Sequence, residues 1–344
     1  MRTLLKAWSL RTILIGLFVP LMVLNVGLTG FLAFRTGQTA VSDLADQLQH
    51  ETTARIQDHL QAYLAWPHRL NQLNLDAIAL GRIDPDEFAS LEPYFWKQAQ
   101  RFDDIAGVTY ASERGDYLYV GREDPRGPIV VGVADATIAP AMHVYATDDQ
   151  GRRAQLSQIY PSYDPRPRPW YQQAARAQQA SWTPIFVWTN GAIGIDAVVP
   201  VYDEARRLRG VLDVSLTLED ISRFLQGLTV GRTGMTYVID RDGLLVASSA
   251  SEPPYIDDRT TPTRRSVFDS QVPMIHDSSQ ALIREHGGFA AIQDQQTVAF
   301  ELDAGRVLAH ATPYRDEHGL DWLIVVVVPE ADFMGQITAN TRTT

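Results

Sequence analysis

From Thr12 to Phe34 the chain carries no charged residue: TILIGLFVPLMVLNVGLTGFLAF. Nothing else in the sequence limits the fold as strongly. As a helix, at about 1.5 Å rise per residue, the run crosses a hydrocarbon core of about 30 Å. Arg2, Lys6 and Arg11 precede it with no acid among them, and basic flanks stay on the cytoplasmic side. Residues 1–11 are therefore expected in the cytoplasm and residues 12–34 as a transmembrane helix, with the bulk of the chain exported. A cleavable signal peptide has an apolar region of about 7–15 residues and a small-residue cleavage site. Here the run is longer, and RTGQTAVSDLADQLQHE continues it as a helix. Pro20 and Asn25 lie inside the span, and membrane helices tolerate proline kinks.

The exported part is acidic. The chain's net charge is −11, although its first 35 residues hold basic residues and no acid. That balance argues against nucleic acid and against an anionic lipid surface as partners. There is no cysteine, which excludes disulfides, thiolate metal sites and a cysteine nucleophile.

After Arg35 the apolar positions Val41, Leu44, Leu48, Ile56, Leu60 and Leu64 trace one stripe of a helix. This predicts a stalk over 35–83, kinked or ended at Pro67 and resuming in LNQLNLDAIAL. DPDEFASLEPYFWKQAQRF reads as a further helix despite Pro93. From about residue 105 the period changes to two. IAGVTYA and DYLYVG form a hairpin, PIVVGVAD and MHVYATDD follow, and TPIFVWT, IGIDAVVPVYD and RGVLDVSL read as strands. TLEDISRFLQGL begins with helix-starting chemistry at Thr217. A second cycle repeats this order: the hairpin MTYVIDRDGLLVASS, a Pro-rich loop, the helix SQALIREHGG, and the strands TVAFELDAGRVLAHATPYR and DWLIVVVVPEADF. PVYDEARRLRGVLDVSL and TPYRDEHGLDWLIVVVVP are alike, each a strand, a charged turn and a strand. Helices segregated on antiparallel sheets, used twice, predict an α+β chain with two tandem lobes.

Two stretches concentrate chemistry. YPSYDPRPRPWYQQA packs rigid turns, cations and aromatic rings together. Arg168 offers a planar fork suited to a carboxylate, and Trp170, Tyr171 and Trp188 offer apolar walls or a cation–π face. Asp213 is the lone acid of the apolar strand GVLDVSL, and Asp196 is placed the same way in GIDAVV. An inward acid needs a cation or donors. The blander alternatives are a salt bridge from Arg168 to Asp164 or Asp213, a core role for Trp170, and Arg166 paired with Asp164. The eight histidines have no metal-ligand spacing. GxSxG, HExxH, Walker and GxGxxG motifs are absent. Neither a metal nor a cofactor is expected.

YDPRPRPWYQQA, WTPIF, AVVPVYDEARRLRGVLDVSLTLEDISRFL and GMTYVIDRDGLLVASS together resemble the double Cache sensor domains of bacterial transmembrane receptors. The resemblance implies a membrane-distal lobe over 84–228, a membrane-proximal lobe over 229–335, each a PAS-like antiparallel sheet, and a run-in to a second membrane helix over 336–344. It implies an inner (plasma) membrane receptor with its bulk periplasmic or extracellular, a small ligand in the distal lobe, and a homodimer through the N-terminal helix. A cytoplasmic output module outside this chain would be a cyclase, histidine kinase, diguanylate cyclase or chemotaxis type. The family's amino-acid-binding Tyr, Arg, Trp and Tyr resemble Tyr163, Arg168, Trp170 and Tyr171, and its ammonium-binding Asp resembles Asp213. Where the family pattern has a Tyr and an Asp two residues apart, this chain has Phe186 and Trp188. Losing that carboxylate removes half of the ammonium clamp, which speaks against an α-amino acid and leaves an organic acid, an amine, an amino-acid-like molecule and an aromatic or more apolar ligand open. The rival readings are a ligand-free dimerisation or docking ectodomain and a membrane-tethered hydrolase.

Overall fold

A computed structural model describes residues 10–103, 105–124, 127–257, 261–303 and 305–332. The segments 1–9 and 336–344 lie outside the described residues, as do the side chains of Val41, Leu44 and Leu48. Helix α1 runs unbroken over Leu10–Ala79. Within it Phe18–Gly37 is long and apolar enough to cross a membrane, and none of it is buried in the protein.

The expected break at Pro67 does not occur, because Pro67 lies inside α1. Leu64 and Leu70, on either side of it, are each 3% exposed. Packing of both flanking turns against the sheets outweighs the donor lost at one proline, worth about 3 kcal/mol in a free helix. Helix α2, Phe88–Arg101, likewise passes Pro93, but it starts later than residue 84.

The first lobe is a nine-stranded sheet. Its strands are β1 Gly107–Ser112, β2 Tyr117–Gly121, β3 Val130–Ala134, β4 Met142–Thr147, β5 Arg153–Tyr160, β6 Ser181–Trp182, β7 Phe186–Val187, β8 Ile193–Tyr202 and β9 Leu208–Thr217. The order is β5-β4-β3-β2-β1-β9-β8-β6, with β7 also pairing β8. Of TPIFVWT, residues 183–189 and expected as one strand, only Phe186–Val187 forms one, as β7; β6 ends just before it, and Pro184 between the two cannot donate to a ladder. Helix α3, Pro169–Ala177, starts on the proline at its first position. Helix α4, Leu218–Gln226, leads to the second lobe.

The second lobe holds β10 Met235–Asp240, β11 Leu245–Ser248, a small ribbon of β12 Tyr255–Ile256 and β13 Thr263–Arg264, helix α5 Pro273–His286, then β14 Gln296–Leu302, β15 Gly305–Arg315 and β16 Asp321–Pro329. Its sheet order is β11-β10-β16-β15-β14. The pairing β2-β1-β9-β8 in the first lobe is repeated as β11-β10-β16-β15 in the second, which matches the repeat read from the sequence.

Strand alternation divides each sheet into two faces. In the first lobe Val108, Tyr110, Leu118, Val120, Leu212 and Val214 point to one side and join Ile56, Leu60 and Leu64 of α1. From the second lobe Val238, Ile324 and Val326 join the same core. One helix thus closes the backs of both sheets. The second lobe's other face is filled by Met235, Tyr237, Ile239, Leu323, Val325 and Val327. The first lobe's other face is where the chemistry lies.

Candidate ligand cavity

Cross-strand register sets this face. Thr109 of β1 pairs with Asp213 of β9, and Asp213 pairs with Val198 of β8. Two residues along, Asp196 pairs with Ser215. The two aspartates are therefore diagonal neighbours on adjacent strands, on one face. They are 1% and 3% exposed. The corresponding pair in the second lobe is Tyr237 with Val325, so the acid of the first lobe is replaced there by packed apolar core.

The aspartates line a cavity of about 70 Å³, together with Thr109, Ser215, Arg168, Trp188 and Phe186. Tyr117, Tyr119, Tyr160, Tyr163 and Trp170 complete an aromatic wall. The space is small beside the about 300–1,000 Å³ of drug-sized pockets, so it suits a compact molecule.

Each wall residue has a local cause. Prolines at 165, 167 and 169 flank Arg166 and Arg168, and α3 begins directly after Arg168. Arg166 is bound by Asp164 at 2.8 and 2.9 Å, which leaves Arg168 for the cavity. Arg168 Nη2 donates only to the Val187 carbonyl, at 3.4 Å, and its Nε is buried without a partner. It forms no ion pair among the described residues, with Asp164, Asp213 or any other acid. Trp188 lies across Gly194, where an added Cβ would sit 1.9 Å from its Cζ2. Tyr119 covers Gly107 in the same way, 2.3 Å from the place of a Cβ. Its hydroxyl donates to a main-chain carbonyl at 3.0 Å.

Seven of the eight candidate residues read from the sequence line this cavity: Tyr163, Arg168, Trp170, Phe186, Trp188, Asp196 and Asp213. Tyr171 lies outside that lining. Its hydroxyl donates to Glu113 Oε1 at 2.6 Å, and its ring packs with Ala111, Ala174 and Val211. One residue beyond Trp170 on α3, it faces the helix–sheet core. Tyr117, Tyr119 and Tyr160 were not singled out from the sequence; in alternating strands a tyrosine reads as ordinary β residue until register shows its face.

The electrostatics are those of an acid pair short of cations. Burial pushes the Asp196 carboxyl up, tempered by Ser215, Trp188 and the Arg168 charge. Burial also pushes Asp213 well up, and the Asp196 charge adds to it. Ser215 Oγ donates to Asp213 Oδ2 at 3.1 Å. Among the described residues, Oδ1 of both aspartates and the Trp188 indole N–H have no hydrogen-bond partner; the indole lies near enough to temper Asp196 without closing a bond. Burial raises the Tyr163 phenol to about 12, so it faces the cavity neutral.

A wider cleft of about 620 Å³ adjoins the cavity and shares Ala106, Glu123, Trp188 and Asn190 with it. Its rim is acidic, with Asp103, Glu219 and Asp220 against Arg122. No group of three or more His, Cys, Asp or Glu side chains able to hold a metal occurs among the described residues.

Comparison with known proteins adds three kinds of likeness. The methyl-accepting chemotaxis protein McpA of Pseudomonas putida is 29% identical over 93 residues, 27% of this chain and 14% of that protein. This chain thus matches only a small part of that relative's length. The ligand-binding domain of Mlp24, solved with asparagine, aligns at TM-score 0.52 and 17% identity over 87% of this chain and 99% of that one. The ligand-binding domain of the Pseudomonas fluorescens chemoreceptor CtaA, in complex with L-serine, aligns at TM-score 0.54 and 16% identity over 84% and 99%. That of the Pseudomonas aeruginosa receptor PctC, in complex with GABA, aligns at 0.50 and 17% over 82% and 98%. A family model described as a Cache domain, of the double type dCache_1, matches residues 37–337. With the repeated sheet topology and this coverage, the chain belongs to the double Cache domain family.

Proposed function

We propose that the chain is the extracytoplasmic input domain of a transmembrane receptor, and that it senses a compact zwitterion in the cavity of its first, membrane-distal lobe. One observation carries the reading. Two carboxylate oxygens, on Asp196 and Asp213, and two N–H donors, on Arg168 and Trp188, are buried without partners around one cavity. An ammonium answers the first pair and a carboxylate the second. Buried polar groups left unpaired cost about 1–3 kcal/mol each, which a matching ligand recovers. The carboxylate missing at Trp188 is supplied from the neighbouring strand by Asp196, so an amino-acid-like ligand regains its ammonium clamp. Asparagine, L-serine and GABA, bound by the structural relatives, belong to this class.

In this reading the helix of residues 12–34 anchors the chain, residues 1–11 stay cytoplasmic, and ligand-driven movement of the sheet reaches α1. Asn71 of α1 donates to the Ala197 carbonyl at 2.8 Å, directly beside Asp196. A dimer formed through α1 would carry that displacement to a cytoplasmic output module. The ligand must favour one state for any signal to pass.

Calorimetry of the full chain in detergent, against amino acids, organic acids, amines and purines, tests the proposal. A hit among the zwitterions that is lost in Arg168→Ala and in Asp213→Ala supports it. Binding of purines or dicarboxylates that survives both substitutions overturns it. No binding, with dimerisation unchanged in the double variant, favours a docking ectodomain instead.

A further inference from the structure

Asp196 and Asp213 share one face of the sheet with a single cation, Arg168, which is bonded to neither. The groups around them offer little more charge compensation. From β1 comes Thr109, from β2 Tyr117 and Tyr119, from β9 Ser215, from the β7–β8 turn Trp188, and from the loop before α3 Tyr163. Glu123, at the mouth, adds negative charge. Arg122 is turned to the Ala99 carbonyl, at 2.9 Å. Two ionised carboxylates on neighbouring strands, almost wholly removed from water, repel each other, and Oδ1 of each is without a donor among the described residues. A proton resident on one of them removes the repulsion and turns one carboxyl into a donor for the other side of the pair.

We propose that the ligand-free cavity holds one proton shared by Asp196 and Asp213, and that the ligand's ammonium expels it. Binding is then an exchange: the protonated site takes up the ammonium ion and releases one proton to solvent, so site charge is conserved. The inference rests on the zwitterion reading for its second half only. It makes the site a joint reader of ligand and pH. Below the titration of the pair, a proton competes with the ligand, and affinity climbs about tenfold per pH unit. Above it, affinity levels off. A receptor built this way responds more weakly to its ligand in acid surroundings than in neutral ones, and fully only above the titration of the pair.

Infrared spectroscopy of the ligand-free full chain in detergent tests the resident proton. The stretch of a protonated buried carboxyl should be present at neutral pH, should titrate with one proton, and should vanish in both Asp196→Asn and Asp213→Asn. Circular dichroism of each variant reports that it is folded. If the band is absent at neutral pH, or survives both substitutions, the resident proton is refuted whatever the ligand. Calorimetry with glycine, L-serine, L-asparagine, γ-aminobutyrate and ethanolamine, in two buffers of different ionisation enthalpy, tests expulsion. Each binder should release close to one proton at neutral pH, and none in Asp196→Asn. A binder that releases no proton overturns the exchange while leaving the sensing function intact. Failure of every ammonium compound to bind, with the band present, refutes the exchange and the zwitterion reading together and leaves the resident proton standing.

Discussion

Asp213 and Asp196 set a pH dependence of stability with a definite sign. Each holds its proton to higher pH when folded than when unfolded, where aspartate titrates near about 3.9. Their favourable contribution is complete below that value and is lost as pH rises through the folded-state titration. Asp213→Asn should therefore flatten the ligand-free thermal stability above about pH 3.9 and should exceed wild type at alkaline pH. A wild-type slope in the variant would sink this account. Gly194 is a second sensitive position. Gly194→Ala forces Trp188 off its seat, at a cost of about 1–3 kcal/mol by analogy with overpacked cores. Tryptophan fluorescence should shift as the indole moves, and an unshifted spectrum would count against the packing described. Both aspartates were legible in the sequence because each is a lone acid in an apolar strand. The glycines were not, since only register reveals which ring lies over which backbone.

Among elements, α1 is where sequence and structure differ most instructively. Pro67 signals a break by local rules, and the flanking buried turns override it. Strand β5 escaped detection for the opposite reason. Its residues are exposed almost throughout, so it has neither alternation nor an apolar run to read. The joint between α1 and the second lobe rests on His68, whose ring stacks on His318 at 3.6 Å between centroids and meets Trp182 edge-on at 4.6 Å. Neither His68 nitrogen has a hydrogen-bond partner among the described residues. Its pKa is lowered to about 3, first by burial and then by the charge of His318. An unfolded histidine titrates near about 6.5, so this contribution is whole above that pH and is lost as pH falls through the folded value. His68→Phe keeps the ring and should abolish the part of the acid loss that begins below about pH 6.5. Chemical denaturation of both proteins at a series of pH values would check it; parallel curves would exclude His68 as the cause.

For the whole molecule, the repeated strand order raises the question of whether the two lobes unfold as one. Their topology is duplicated, yet their cores are not independent. The back faces of both sheets and one side of α1 form a single apolar cluster. Trp182, at the start of the β6–β8 ladder, ties the first lobe to the turn between β15 and β16. Its indole donates to Asp316 Oδ2 at 2.6 Å, and its backbone N–H donates to the His318 carbonyl. Interfaces between domains of one chain usually permit separate unfolding unless they are large and apolar. Here the shared cluster favours a single cooperative transition. Trp182→Ala removes an almost fully buried indole and its bond to a carboxylate, a loss of about 3–5 kcal/mol. If Trp182 is the main coupling, calorimetry of the variant should split the transition. If the transition stays single and merely moves down, α1 and the sheet backs couple the lobes without it. Ligand then marks the lobes apart: a zwitterion in the first-lobe cavity should raise only the first lobe's transition, by mass action on the lobe that binds it.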